Sequence, residues 1–218
     1  MNVTDAVKRR NSVRAFLDTP VPNEVVAKLL EKASRAPSGG NLQPWRIRVI
    51  NGEVMPRFLS FLENSDIQNT PAYDIYPKEL KAPYRDSRFK SGEDMYALLG
   101  IPREDKPARF AHLARNYNFF GAPTGLFCFV DRQMGKPQWS DLGMFLQTFM
   151  LLAQEAGLDT CAQEAWAMQA DRVSAFVGTE AELMLFCGIA LGHRDTSNPV
   201  NGLVTDREPL EKWATFVK

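Results

Sequence analysis

Pro37-Ser38-Gly39-Gly40-Asn41-Leu42-Gln43-Pro44-Trp45 carries more conformational constraint than a connector needs. Two prolines fix φ, and two adjacent glycines remove Cβ atoms so that something flat or bulky can approach the backbone. Ser38, Asn41 and Gln43 add hydroxyl and carbonyl groups among them. The apolar-periodic segment Val25, Val26, Leu29, Leu30, Ala33 precedes it, and the strand-like run from Arg46 to Ile50 follows. Its ends are therefore held by regular structure. On this stretch alone, a loop shaped for a ligand and a helix-to-strand turn with a buried Trp45 are equally open.

The flanking chain sets the frame. A short helix over Val3 to Arg9 hands over to Arg10-Asn11-Ser12-Val13-Arg14-Ala15-Phe16. If that segment is extended, Arg10, Ser12 and Arg14 share one face while Val13 and Ala15 take the other. Two guanidinium forks and a hydroxyl on one edge suit a phosphate or carboxylate, or simply a solvated charged edge. Pro20 and Pro22 end the run, and Asn23 is placed to cap a helix reaching Ser34.

Beyond the 46 to 50 strand, Val54, Phe58, Leu59 and Leu62 predict a helix over Glu53 to Glu63. From Asn64 to Arg109 the periodicity dissolves among Pro71, Pro77, Pro83, Pro102 and Pro107, with Tyr73, Tyr76, Tyr84, Phe89 and Tyr96 interleaved. This stretch reads as a lid over a substrate or as a surface insertion, without regular structure. A helix over Arg109 to Phe120 leads to a central strand at Gly125 to Val130. Asp141 opens the clearest helix, with Leu142, Phe145, Leu146, Phe149, Met150 and Ala153 on one stripe and Gly157 as its terminator. Thr160 to Trp166 reads as a loop feeding a helix, offering free N–H groups to an acceptor. Glu182 to Gly192 contains the last long strand, in which Gly188 and Gly192 permit close packing. A short helix from Pro209 to Val217 ends the chain.

The totals exclude several functions. Lys plus Arg balances Asp plus Glu at 26 each, so no net field steers the chain toward nucleic acid or an anionic membrane. Its apolar runs are too short for a membrane span, and the start lacks a basic segment followed by an apolar one. Cys128, Cys161 and Cys187 sit in apolar sequence and read as reduced core residues of a cytoplasmic protein. His112 and His193 have no companions at metal-ligand spacing, so no metal is expected. Walker, dinucleotide and nucleophile-elbow motifs are missing. A catalyst of this composition would take its hard chemistry from an organic cofactor and needs no catalytic side chain of its own. No linker divides the chain, and residues 1–218 read as one α+β domain.

Four stretches then act together. Arg9 to Phe16, Ala36 to Trp45, Gly157-Leu158-Asp159-Thr160-Cys161-Ala162-Gln163-Glu164-Ala165-Trp166, and Gly188 to Asp195 running on to Arg207-Glu208-Pro209-Leu210 resemble, in order and spacing, the motifs of the flavin-dependent nitroreductase family. The resemblance implies an α/β sandwich with a mostly antiparallel sheet flanked by helices, in an intertwined homodimer binding FMN at the subunit interface. It implies that Arg10, Asn11, Ser12 and Arg14 hold the FMN phosphate and ribityl chain, with Arg207 closing on the phosphate. Pro37, Ser38, Gly39 and Asn41 match the loop along the isoalloxazine, commonly supplied by the partner. Gln163, Glu164 and Ala165 match the loop whose backbone donor reaches flavin N5; Ala162 stands where many members have proline. The activity implied is ping-pong transfer of hydride from NADH or NADPH through the flavin to nitroaromatic or quinone acceptors. A reductive dehalogenase or enone reductase on the same fold, and a flavin-binding sensor or carrier without turnover, are the alternatives.

Overall fold

The computed structural model describes residues 1–217. One four-stranded sheet runs through it in the order β1-β2-β4-β3, every neighbouring pair antiparallel. The strands are β1 (Arg46–Asn51), β2 (Thr124–Asp131), β3 (Asp159–Gln163) and β4 (Leu183–Gly192). Seven α-helices surround it: α1 (Val3–Arg9), α2 (Asn23–Ala33), α3 (Val54–Asn64), α4 (Tyr84–Leu98), α5 (Lys106–Ala114), α6 (Lys136–Glu155) and α7 (Ala170–Val177).

β2 is buried on both faces, as its unbroken apolar run implied. Leu126, Cys128 and Val130 point into a core closed by α2 and α6, through Val26, Leu29, Leu142, Phe145 and Phe149. Phe127 and Phe129 point the opposite way, into an aromatic core with Phe58, Phe119 and Trp166. Trp166 touches Phe119, Phe127 and Phe58 at ring-centroid distances of 4.7, 5.0 and 5.6 Å. That close approach depends on Gly188, because a Cβ there would lie 2.2 Å from Trp166 Cδ1.

β4 does not alternate strictly. Cys128 pairs with Cys187 while Phe129 pairs with Leu185, which leaves Phe186 as an extra residue in a β-bulge. Leu185 and Cys187 thereby enter opposite cores despite being two residues apart. The Tyr73 hydroxyl donates to the Phe186 carbonyl, satisfying an acceptor that the bulge takes out of the ladder. Tyr73 also packs on Trp139 at 5.2 Å, and burial pushes its hydroxyl well above the usual phenol range.

Several boundaries differ from the sequence reading. Asn23 is not the cap of α2 but its first residue, after Pro22; its Oδ1 accepts from Asn51 Nδ2 at 2.9 Å. The 64 to 109 stretch is not structureless. It contains α4, which buries none of its residues and so shows no apolar stripe, and the start of α5, where Asp105 caps Ala108 N at 3.0 Å. α5 stops at Ala114, and residues 115–121 form 3-10 turns with Phe119 and Phe120 at positive φ. α6 begins at Lys136, five residues before Asp141, behind a Gly135–Gln138 capping pair. The 209 to 217 helix reduces to a 3-10 turn at Leu210–Lys212. Gly157 does terminate α6, at φ 76°, as the helix-stop pattern requires.

Candidate active site

The segment Arg10 to Leu17 lies extended across the ends of β3 and β4. Val13 N donates to Thr160 O at 3.1 Å, Leu17 N to His193 O at 2.8 Å, and Asp195 N to Ala15 O at 3.0 Å. Val13 and Ala15 are buried, and Arg10, Ser12 and Arg14 keep the other, half-buried face. The turn Pro199–Gly202 then locks this segment through one side chain. Asn201 Oδ1 accepts from Arg14 N at 2.8 Å, and Asn201 Nδ2 donates to Ala15 O and Asp195 O, each at 2.8 Å. Beside it, Arg194 Nε meets Asp159 Oδ2 at 2.9 Å and Gln154 Nε2 meets Oδ1 at 2.8 Å. Burial raises the Asp159 carboxyl, but Arg194 and Gln154 outweigh it and hold the group below its ordinary value.

Residues Thr160 to Gln163 are not a loop but β3, paired with β4 from Asp159↔Gly192 to Gln163↔Gly188. The loop-like feature starts one residue later, in the 3-10 turn Glu164–Gln169. Gln163 is only 2% exposed, and its side chain faces the protein: Nε2 donates to Asn116 O at 2.8 Å and Oε1 accepts from Trp166 Nε1 at 3.3 Å. The strand end therefore presents backbone rather than the Gln163 amide.

That strand end borders a cavity of about 540 Å³, walled by Arg14, Cys161, the 162 to 165 stretch, α4 and α5. Tyr76, Met95, Tyr117 and Phe120 give it an apolar, partly aromatic lining. Its charged lining is Arg14, Arg88 and Glu164. His112, on α5, is 7% exposed, and burial, aided by Arg115 and Arg14, lowers its pKa so that a neutral ring is favoured. Three buried side-chain atoms make no hydrogen bond among the described residues: His112 Nε2, on a residue that lines the cavity, and Asn11 Oδ1 and Thr160 Oγ1, on residues that do not line it. Unsatisfied buried polar atoms are costly, and each of the three is a place where a polar ligand atom would supply the missing partner.

The nitroreductase family model matches residues 7–193. The chain belongs to the nitroreductase family. It is 35% identical over 214 residues to a 4-nitrobenzoate reductase of Pseudomonas putida, covering 97% of this chain and 93% of the relative. It is 36% identical to a nitrobenzene nitroreductase of Ectopseudomonas oleovorans, covering 99% and 96%. Among solved structures, the FMN- and NADPH-dependent nitroreductase NfnB of Sphigopyxis sp. strain HMH superposes with a TM-score of 0.93 at 44% identity, over 100% of both chains. The FMN-dependent NfnB of Mycobacterium smegmatis, solved in complex with NADPH, gives 0.91 at 28%, again over 100% of both.

Within this nitroreductase, the expected site residues fall into three groups. Arg14, Gln163, Glu164 and Ala165 share the cavity, with Arg10, Asn11 and Ser12 on the adjoining extended segment. Pro37, Ser38, Gly39 and Asn41 do not line that cavity. Their loop sits at the N-terminal end of α6, where Gly39 N lies 3.3 Å from both Asp141 carboxylate oxygens and Ser38 Oγ accepts from Gln43 N at 3.0 Å. Gly40, Asn41 and Gln43 all take positive φ, Trp45 stacks on Phe145 at 4.9 Å, and Pro37, Gly39 and Asn41 are solvent-exposed. Arg207 is apart again, in an outer hollow that shares Arg88 and Ser91 with the cavity; its Nη1 donates to Thr205 Oγ1 at 2.8 Å and Asp206 O at 2.7 Å.

FMN fits what the chain offers. Arg10, Ser12 and Arg14 supply cationic and hydroxyl donors for a phosphate, and Asn11 Oδ1 and Thr160 Oγ1 are acceptors in want of donors such as ribityl hydroxyls. The 37 to 41 loop is open: a Cβ on Gly39 would meet only Asp141 Oδ2, at 4.0 Å, and one on Gly40 nothing. Sequence reading missed Asn201, His112 and Tyr73. No spacing marks an asparagine in a short turn as a clamp, because two of its three partners, Arg14 N and Ala15 O, lie 187 and 186 residues away.

Proposed function

We propose that this chain is an FMN-dependent oxidoreductase that takes reducing equivalents from NADPH or NADH and reduces nitroaromatic acceptors. Donor and acceptor use the same cavity in turn. The observation that carries the reading is the convergence of Arg14, residues 163–165 and His112 on one aromatic-lined cavity, next to the extended segment that carries Arg10 and Ser12. FMN, when bound, would supply the hydride-transfer chemistry that none of the side chains provides.

The chain's own residues bind, orient and exclude water. Arg10, Ser12 and Arg14 would hold the phosphate, and Arg207, in the outer hollow, would add a further cation for it. The N–H groups that follow Gln163 line the cavity and would offer a donor to the flavin edge where charge changes on reduction. Pro37, Ser38, Gly39 and Asn41 lie along the ring system of the flavin held by a second subunit. That assignment rests on their distance from this chain's own cavity and on their exposure, and it makes the active unit a homodimer. The exposed apolar side chains Val3, Val7, Phe110, Trp213 and Phe216 support the same assembly. Residues 1–218 form one domain in this reading. Cys128, Cys161 and Cys187, buried and unpaired, support a reducing, cytoplasmic setting.

Relatives act on acceptors of both kinds, 4-nitrobenzoate for one and nitrobenzene for another, so kinship leaves the acceptor's charge open. The test is direct. The purified protein is expected to be yellow, to migrate as a dimer and to oxidise NADPH or NADH when a nitroaromatic is present. A colourless protein that gains no visible absorbance with added FMN, and turns over neither nicotinamide, defeats the proposal.

A further inference from the structure

Of the basic side chains on α4, Arg85 pairs with Asp86 at 2.8 Å, and Lys90 pairs with Asp94 at 2.5 Å and Asp206 at 3.5 Å. Arg88, between them, makes no hydrogen bond or ion pair among the described residues. Its guanidinium carbon stands 4.2 Å above the Tyr76 ring, and both side chains wall the cavity that holds the 163 to 165 backbone. Stacking on an aromatic face fixes the plane of a guanidinium while leaving its edge N–H donors free. An edge of that kind matches a carboxylate bidentately. The one acid in the cavity lining is Glu164; the others near Arg88, Asp86, Asp206 and Glu208, line the outer hollow, and the first two are already paired.

Resting on the nitroreductase reading, we infer that Arg88, stacked on Tyr76, is a specificity-determining residue that binds the carboxylate of an anionic aromatic acceptor. Tyr76, Met95, Tyr117 and Phe120 line the space in which the acceptor's ring lies. The phosphate of a nicotinamide dinucleotide would share this chemistry. It lies a full nucleotide away from the reacting ring, however, whereas the carboxylate of a benzoate is one ring-width from its nitro group. Arg88 lines the same cavity as the 163 to 165 backbone, which favours the second geometry.

The holoenzyme decides the matter first, by calorimetric titration with benzoate and with benzamide, neither of which it can reduce. Benzoate is expected to bind about tenfold more tightly, which corresponds to about 1.4 kcal/mol. Equal affinities, or tighter binding of benzamide, overturn the inference without any variant. In Arg88→Gln, with FMN content checked by absorbance, the ratio of kcat/KM for 4-nitrobenzoate over nitrobenzene should fall about tenfold, with Arg88→Lys recovering part of it. If the ratio holds and the half-saturation for NADPH rises instead while that for NADH does not, Arg88 serves the donor's phosphate and the inference is wrong. If no nitroaromatic is reduced at all, the functional reading fails, and the benzoate comparison still decides this one.

Discussion

Asn201 Oδ1 accepts the backbone N–H of Arg14 at 2.8 Å, across a sequence separation of 187 residues. Through Nδ2 the same side chain reaches Ala15 O and Asp195 O, so a buried amide uses both ends to hold the extended segment that carries Arg10 and Arg14. Asn201→Ala removes these bonds and leaves buried backbone groups unpaired. The expected cost is about 1–3 kcal/mol of stability, with FMN lost more readily on dialysis. Denaturant midpoints and the visible absorbance retained after dialysis measure the two effects. Loss of stability with undiminished FMN retention would separate Asn201 from the cofactor site.

Gly188→Ala tests the sheet-to-aromatic contact. The new methyl would sit 2.2 Å from Trp166 Cδ1, and Trp166 is fully buried. Overpacking of a fixed ring costs about 1–3 kcal/mol, occasionally more. Combining the change with Trp166→Leu should recover part of the loss in urea unfolding; an additive double variant would contradict the contact.

Gly39→Val is the opposite case. Its Cβ has only Asp141 Oδ2 near, at 4.0 Å, so the chain's own core tolerates it and the unfolding free energy should change by no more than about 0.5 kcal/mol. The bulk would instead obstruct a flavin lying on the loop from a partner subunit. FMN occupancy of the purified dimer, read by absorbance, should drop; full occupancy would remove Pro37 to Asn41 from the site.

Stability should fall in two stages on acidification. His112 has a folded pKa below its ordinary value, so between about pH 6.5 and that lower value the unfolded chain binds more protons. Folding is penalised as pH drops through this window. Asp159 is also held low, by Arg194 and Gln154 against its own burial, so its contribution is present above about pH 3.9 and disappears as pH falls through its folded value. Unfolding midpoints from pH 8 to pH 3 would reveal both stages, and His112→Phe should abolish the first.

Tyr73→Phe leaves the Phe186 carbonyl of the bulge without its donor, at a cost of about 1–2 kcal/mol. Tyr73 fastens the 64 to 83 stretch to the sheet together with Ala72 N to Ala167 O, at 2.9 Å. Faster proteolysis within that stretch, beyond what this loss of global stability by itself produces, is the expected outcome.

By itself the sequence determined the sheet's central strands, the stripe of α6 and its Gly157 stop, and the two-faced segment Arg10 to Arg14. These are consequences of alternation, helical period and glycine conformation, which act within a few residues. The glycine-rich loop was legible as a shaped feature for the same reason. Tertiary structure decided what locality does not encode. Thr160 to Gln163 became strand because β4 offered it a ladder. α4, with no buried residue, formed without the apolar stripe that announces a helix. Phe186 bulged and Tyr73 capped it from 113 positions away. Asn201 became a clamp, and Pro37 to Asn41 came to lie away from the cavity that holds Arg14. Each of these depends on hydrogen-bond partners and packing surfaces that meet only when the chain has folded, and the loop that first suggested a flat ligand lies outside the cavity that Arg14 lines.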